Sequence, residues 1–144
     1  MPRFIIFVRG NSETESGLTP STDLFEAMNA YNATMVEAGI MLSGEGLLAS
    51  SCDSRRIAFH NSSAPTVQSG PFPANELVSG WWILKVKDIE EAVSWAMKCP
   101  FKEGSVTEVR RIAENEDFGE ALSPELKAKG EQMRAQIEKL AKAE

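Results

Sequence analysis

From Phe4 to Val8 every residue is apolar. Side chains alternate along a strand, so Phe4, Ile6 and Val8 share one face and Ile5 and Phe7 the other. The segment predicts a strand that is apolar on both sides. A Ser/Thr/Glu-rich loop follows, and Ser21, Thr22 and Asp23 offer a helix N-cap behind Pro20. Leu24, Met28, Tyr31 and Met35 then recur at helical spacing, and Gly39 marks the helix end. Ile40 to Ala49 reads as extended or turn-rich. Arg56 to His60 predicts a strand with Ile57 and Phe59 on one face and Arg56, Ala58 and His60 on the other. Asn61 to Ala64 is a turn. Trp81 to Val86 is the next strand, Asp88 caps a second helix, and Ile89, Val93 and Ala96 form its predicted stripe. Val106 to Ile112 closes the sheet.

This order is βαββαβ with an extra hairpin before the Trp strand. It predicts an α+β fold with an antiparallel sheet whose helices cover one face. Trp82, Leu84 and Val86 share one face of the Trp strand, while Trp81 and Ile83 point the other way. Apolar residues on the uncovered face call for a partner. Two-fold packing on a second copy, a homodimer, is the expectation.

The last residues differ in pattern. Ala113 to Ala121 is acidic (Glu114, Glu116, Asp117, Glu120) and reads as a linker. Ser123-Pro124-Glu125 starts a helix, with Ser as N-cap and Pro in the first turn. Leu126, Met133, Ile137 and Leu140 make a narrow stripe interrupted by Gly130. Glu125/Lys129 and Glu138/Lys142 are favourable pairs four residues apart. The expected organisation is a domain over 1–113 and a linker with amphipathic helix over 114–144. That helix docks on its own domain or on the dimer mate, or recruits another protein.

Composition narrows the partners. The 144 residues suit one domain, and the net charge is −6. Nucleic acid and anionic membrane surfaces both favour clustered Lys and Arg, so neither is an expected partner. Phe4 to Val8 is too short for a signal-peptide core or a membrane span. Pro2 stands where myristoylation needs glycine. A cytoplasmic location is the expectation. Cys52 and Cys99 are far apart, without Cys-x-x-Cys spacing, and read as reduced thiols. His60 is the single histidine. No metal-ligand spacing and no phosphate-cradling glycine loop is present, so no metal and no cofactor is expected.

The segment Ser69-Gly70-Pro71-Phe72-Pro73 is the most distinctive. Each proline fixes its own φ and pushes the preceding residue to extended geometry. The segment is therefore a stiff corner, not a central strand. Ser69-Gly70-Pro71-Phe72 resembles the Asp-Gly-Pro-Phe signature of the YCII-related (DGPF-type) family. Ser43-Gly44-Glu45-Gly46-Leu47 is similar to that family's Gly-Glu-Gly-Leu element, and Gly104 to Arg110 to its last strand. The resemblance covers roughly residues 1–113. It implies a ferredoxin-like fold that pairs into a dimeric α+β barrel. Relatives can use the signature aspartate with a histidine on the first helix; here those positions are Ser69 and Met28. The acid/base pair implied by the resemblance is thus replaced. Some relatives occur beside alternative sigma factors, which fits an accessory role.

Candidate ligand contacts follow from chemistry. Glu45 lies between two glycines; Arg55 and Arg56 suit bidentate carboxylate binding; Ser69 and Phe72 sit on the corner. Met28 and Tyr31 are candidates for a pocket floor, and Trp81 or Trp82 for its wall. His60 shares a strand face with Arg56. The favoured reading is a small-molecule-binding or accessory homodimer with a pocket near Glu45, Arg56, Ser69 and Phe72. One alternative is a lyase, isomerase or dehalogenase acting on small ring-derived acids. Another is a structural dimer with a protein-recruiting C-terminal helix.

Overall fold

The computed structural model describes residues 1–143; Glu144, the last residue of the expected tail, lies outside the described residues. The chain forms two compact units, one over Met1–Ile112 and one from Ala113 onward.

In the first unit the strands are β1 (Arg3–Arg9), β2 (Met41–Gly46), β3 (Arg55–Ala58), β4 (Thr66–Ser69), β5 (Val78–Lys85) and β6 (Thr107–Arg111). Helix α1 (Thr22–Glu37) joins β1 to β2, and α2 (Ile89–Ala96) joins β5 to β6. The main sheet runs β2-β5-β1-β6, with each neighbouring pair antiparallel. That order is the split βαβ arrangement of a ferredoxin-like α+β core. β3 and β4 form a separate two-stranded hairpin inserted between β2 and β5.

The predicted helix starts are present. Ser21 Oγ accepts the Leu24 N–H at 3.2 Å, and an Asp88 carboxylate oxygen accepts the Glu91 N–H at 2.9 Å. Past α1, Gly39 takes φ +71°, a left-handed turn that glycine enters freely. The core lies between α1, α2 and one sheet face. Phe4, Ile6, Trp82 and Leu84 from the sheet meet Tyr31, Met35, Ala92 and Ala96 from the helices. Ile6, Met35, Leu84 and Val86 are fully buried, each burial contributing about 1.5–3 kcal/mol.

Helix α2 corrects one expectation. Ala96 is buried as expected, but Ile89 and Val93 are exposed, and the second buried position is Ala92, flanked by half-buried Trp95 and Cys99. The spacing 92, 95, 96, 99 is itself a helical stripe. Small residues at its centre let the helix backbone approach the sheet.

In the second unit the acidic stretch has local structure. Asn115–Ala121 forms 3-10 turns, kinked at Gly119, with a reciprocal capping box between Glu114 and Asp117. Helix α3 (Pro124–Lys142) starts on a Ser123 cap, as predicted, and carries a Glu125–Lys129 pair at 3.6 Å. Leu126, Met133, Ile137 and Leu140 are exposed.

Candidate functional site

The corner is held by a serine that sequence reasoning does not single out. Ser50 follows β2 and is buried. Its backbone N–H donates to both carboxylate oxygens of Glu15 at 3.0 Å, and its hydroxyl donates to Oε2 at 2.6 Å. The same hydroxyl oxygen accepts the Phe72 N–H at 2.9 Å. Its carbonyl accepts from the Ser54 hydroxyl, and the Ser54 carbonyl accepts the Gly70 N–H at 3.3 Å. One residue thus ties the loop before α1, the loop after β2 and the Pro corner together. Among the described residues no buried side-chain polar atom lacks a partner, so the knot is electrostatically closed. The bond between Gly70 and Pro71 is cis.

Phe72 is buried, as a plug at the corner. The Arg56 guanidinium lies 4.1 Å from its ring centroid and pairs with Glu76 at 2.9 Å. The cation–π contact contributes about 0.5–1 kcal/mol at such a half-exposed place, and the ion pair about 0–1 kcal/mol. Arg56 and Phe72, both predicted, are therefore together. Ser69 is exposed and stands opposite Arg55 in the β3–β4 ladder.

Two other predicted residues meet on the main sheet. Glu45 in β2 stands opposite Trp81 in β5. They lie on the face turned away from the helices, where Trp81 also stands opposite Phe7, and Ile83 opposite Ile5. Ile5, Phe7, Trp81 and Ile83 are half-buried and Glu45 is exposed. Among the described residues no hydrogen bond, ion pair or ring contact joins this group to Arg56 and Phe72.

Met28 does not join the corner. It packs against the main core, a cluster that does not include Phe72. The reason is the helical period: Met28 shares its α1 face with Tyr31 and Met35, which look onto the sheet. Tyr31 and Trp82 are core residues too. Their rings meet edge to face at 5.3 Å. The Tyr31 hydroxyl donates to the Trp95 carbonyl at 2.9 Å, and Trp82 Nε1 donates to Asn32 Oδ1 at 2.8 Å. Burial pushes the Tyr31 phenol far above its ordinary range, and the neighbouring Cys99 adds to the shift. Burial likewise raises the Cys99 thiol, against a lowering contribution from its hydrogen bond with Tyr31. Both stay neutral near pH 7 and serve packing. His60 is exposed and bonds Thr66 Oγ1 at 3.0 Å. An open groove at the start of α2, lined by Lys87, Asp88, Glu91 and Ser94, is made of other residues. Among the described residues no cluster of His, Cys, Asp and Glu is arranged to hold a metal ion. No helix of the described residues is long and apolar enough to cross a membrane.

The family model for the YCII-related domain matches residues 3–116, most of the chain. The protein belongs to the YCII-related family. The match runs from the first residue of β1 through all six strands and both sheet-covering helices. No curated protein matches this YCII-related chain. The positions where the resemblance implies an aspartate and a helix histidine are the exposed Ser69 and the core-facing Met28. This YCII-related protein therefore has no titratable pair at those two places.

Proposed function

We propose that this YCII-related protein is a cytoplasmic homodimer that binds a small molecule, as a binding or accessory protein and not as an acid–base catalyst. The observation that carries the reading is the second apolar face of the sheet. Ile5, Phe7, Trp81 and Ile83 form a continuous patch across β1 and β5, opposite the face covered by helices. A sheet apolar on both faces is stable in water when the second face packs on something, and a second copy is the partner every homodimer has available. A polar group stands on the patch, as ligand sites require: Glu45 faces Trp81 there. Arg56 with Phe72 marks the corner as a second candidate contact. Against catalysis stands the chemistry of the two replaced positions. A hydroxyl without a base and a thioether do not transfer protons near neutral pH. The free, exposed Cys52 fits a reducing compartment.

The test has two parts. Light scattering after size exclusion should give twice the 15.8 kDa chain mass at micromolar concentration. A thermal-shift screen of small carboxylates and aromatics should yield a ligand that raises Tm with concentration. Arg56→Ala should abolish that shift while the protein stays folded, because the exposed ion pair it removes is weak. A monomeric mass, or no shift across the screen, rejects the corresponding half of the reading. Turnover of a hit rejects the non-catalytic half.

A further inference from the structure

The β3–β4 hairpin has two unlike faces. On one, Arg56 turns back onto its own chain, over Phe72 and against Glu76. On the other, Ile57 and Val67 stand opposite each other across the ladder. Phe59, just past β3, and Arg55 fall on that face by alternation. Ile57 is 57 % exposed, Val67 65 % and Phe59 80 %. A lone two-stranded hairpin is marginal in water, and here its root is pinned while its apolar face is bare. Its charge is also one-sided. From Ser54 to Asn75 there is no Asp or Glu, whereas the rest of the first unit has more Asp and Glu than Lys and Arg.

The face of the main sheet turned away from the helices is complementary. It offers half-buried Phe7 and Trp81 with exposed Glu45 beside them, and the Glu45 carboxylate has no hydrogen bond or ion pair among the described residues. Among the described residues the Arg55 guanidinium bonds only the neighbouring Ser54 carbonyl, at 2.8 Å. An apolar strip with a spare cation and an apolar patch with a spare carboxylate lie on the same chain.

We infer that the hairpin is an exchange arm: each copy lays the Ile57, Phe59 and Val67 face on the open sheet face of a second copy, with Arg55 meeting the partner's Glu45. The inference rests on the homodimer proposed above and adds how the two chains engage. The Glu45–Trp81 side of each candidate site is then completed by the other chain's hairpin, and an isolated protomer has only half of it. In a two-fold interface each residue acts twice, so one substitution removes two contacts.

The experiment is sedimentation across a concentration series with the full chain, with circular dichroism to confirm folding. Phe59→Asp should weaken the dimer at least about a hundredfold, since two large apolar contacts are lost and two charges are placed against them. The exposed position makes misfolding no obstacle. Arg55→Glu and Glu45→Arg should each weaken the dimer, and the double exchange should recover it. A wild-type dimer whose constant moves less than threefold in Phe59→Asp overturns the arm and leaves the homodimer standing. Failure of the double exchange to recover affinity overturns the seat at Glu45. A monomeric wild type removes the homodimer itself.

Discussion

Gly70 shows how one residue type decides a local structure. A β-carbon placed there would run into the Ser50 carbonyl oxygen and the Ser54 hydroxyl, in a knot already closed by hydrogen bonds. Backbone atoms cannot yield as a flexible side chain can, so the corner accepts only glycine. Gly130 in α3 is the contrast, since a β-carbon there meets nothing within 4 Å. Gly70→Ala should cost about 1–3 kcal/mol or more, as overpacking does. Gly130→Ala should raise the helicity of α3 and favour that helix by about 1 kcal/mol. Urea denaturation and far-ultraviolet circular dichroism measure both; a neutral Gly70→Ala would mean the corner relaxes freely. Trp81 and Trp82 make the same point about direction. Adjacent in sequence, they serve opposite faces of one strand, one in the core with Tyr31 and one on the open patch.

At the scale of elements, period-2 and period-3.6 patterns suffice to read β1, α1 and β5, because each buries one regular face. Helix α2 shows the limit. The spacing suggests Ile89, Val93 and Ala96 as its inner stripe; Ala96 is buried, while close approach to the sheet selects Ala92 in place of Ile89 and Val93. Hydrophobicity alone ranks the larger side chains first; backbone proximity reverses that ranking. The contact between α1 and the end of α2 also has a titration consequence. Tyr31 and Cys99 are neutral acids whose proton affinity rises on folding, chiefly through burial. A group of this kind contributes stability fully below its unfolded pKa, and that contribution is lost as pH rises beyond it. The ordinary values are 9.0 for the thiol and 10.0 for the phenol. Stability should therefore hold steady on this account to about pH 9 and then fall progressively. Cys99→Ala should move the onset toward pH 10. Melting curves from pH 7 to 11 check this, and a flat Tm through pH 10.5 contradicts it.

For the whole molecule, topology was legible and the corner's support was not. The order of strands and helices is local information, repeated in each element's pattern. Ser50 is different: it follows an exposed Leu47-Leu48 pair in an unpatterned loop, and its partners lie 35 residues back at Glu15 and 22 residues ahead at Phe72. No periodicity links such positions; only the finished sheet brings them together. That dependence has a kinetic meaning. The three loops tied at Ser50 take their places only once β1, β2 and β5 frame them, although the β1–β5 pairing itself closes a longer loop. The Ser50 knot should thus be absent from the folding transition state and act as a latch on the native one. Ser50→Ala should lower stability by about 1–3 kcal/mol, with the refolding rate nearly unchanged and unfolding about 5- to 150-fold faster. Stopped-flow folding and unfolding rates read the two limbs separately, and a slowed refolding limb would place the knot in the nucleus. As a latch, this buried serine governs how long a folded copy lasts more than how quickly one forms.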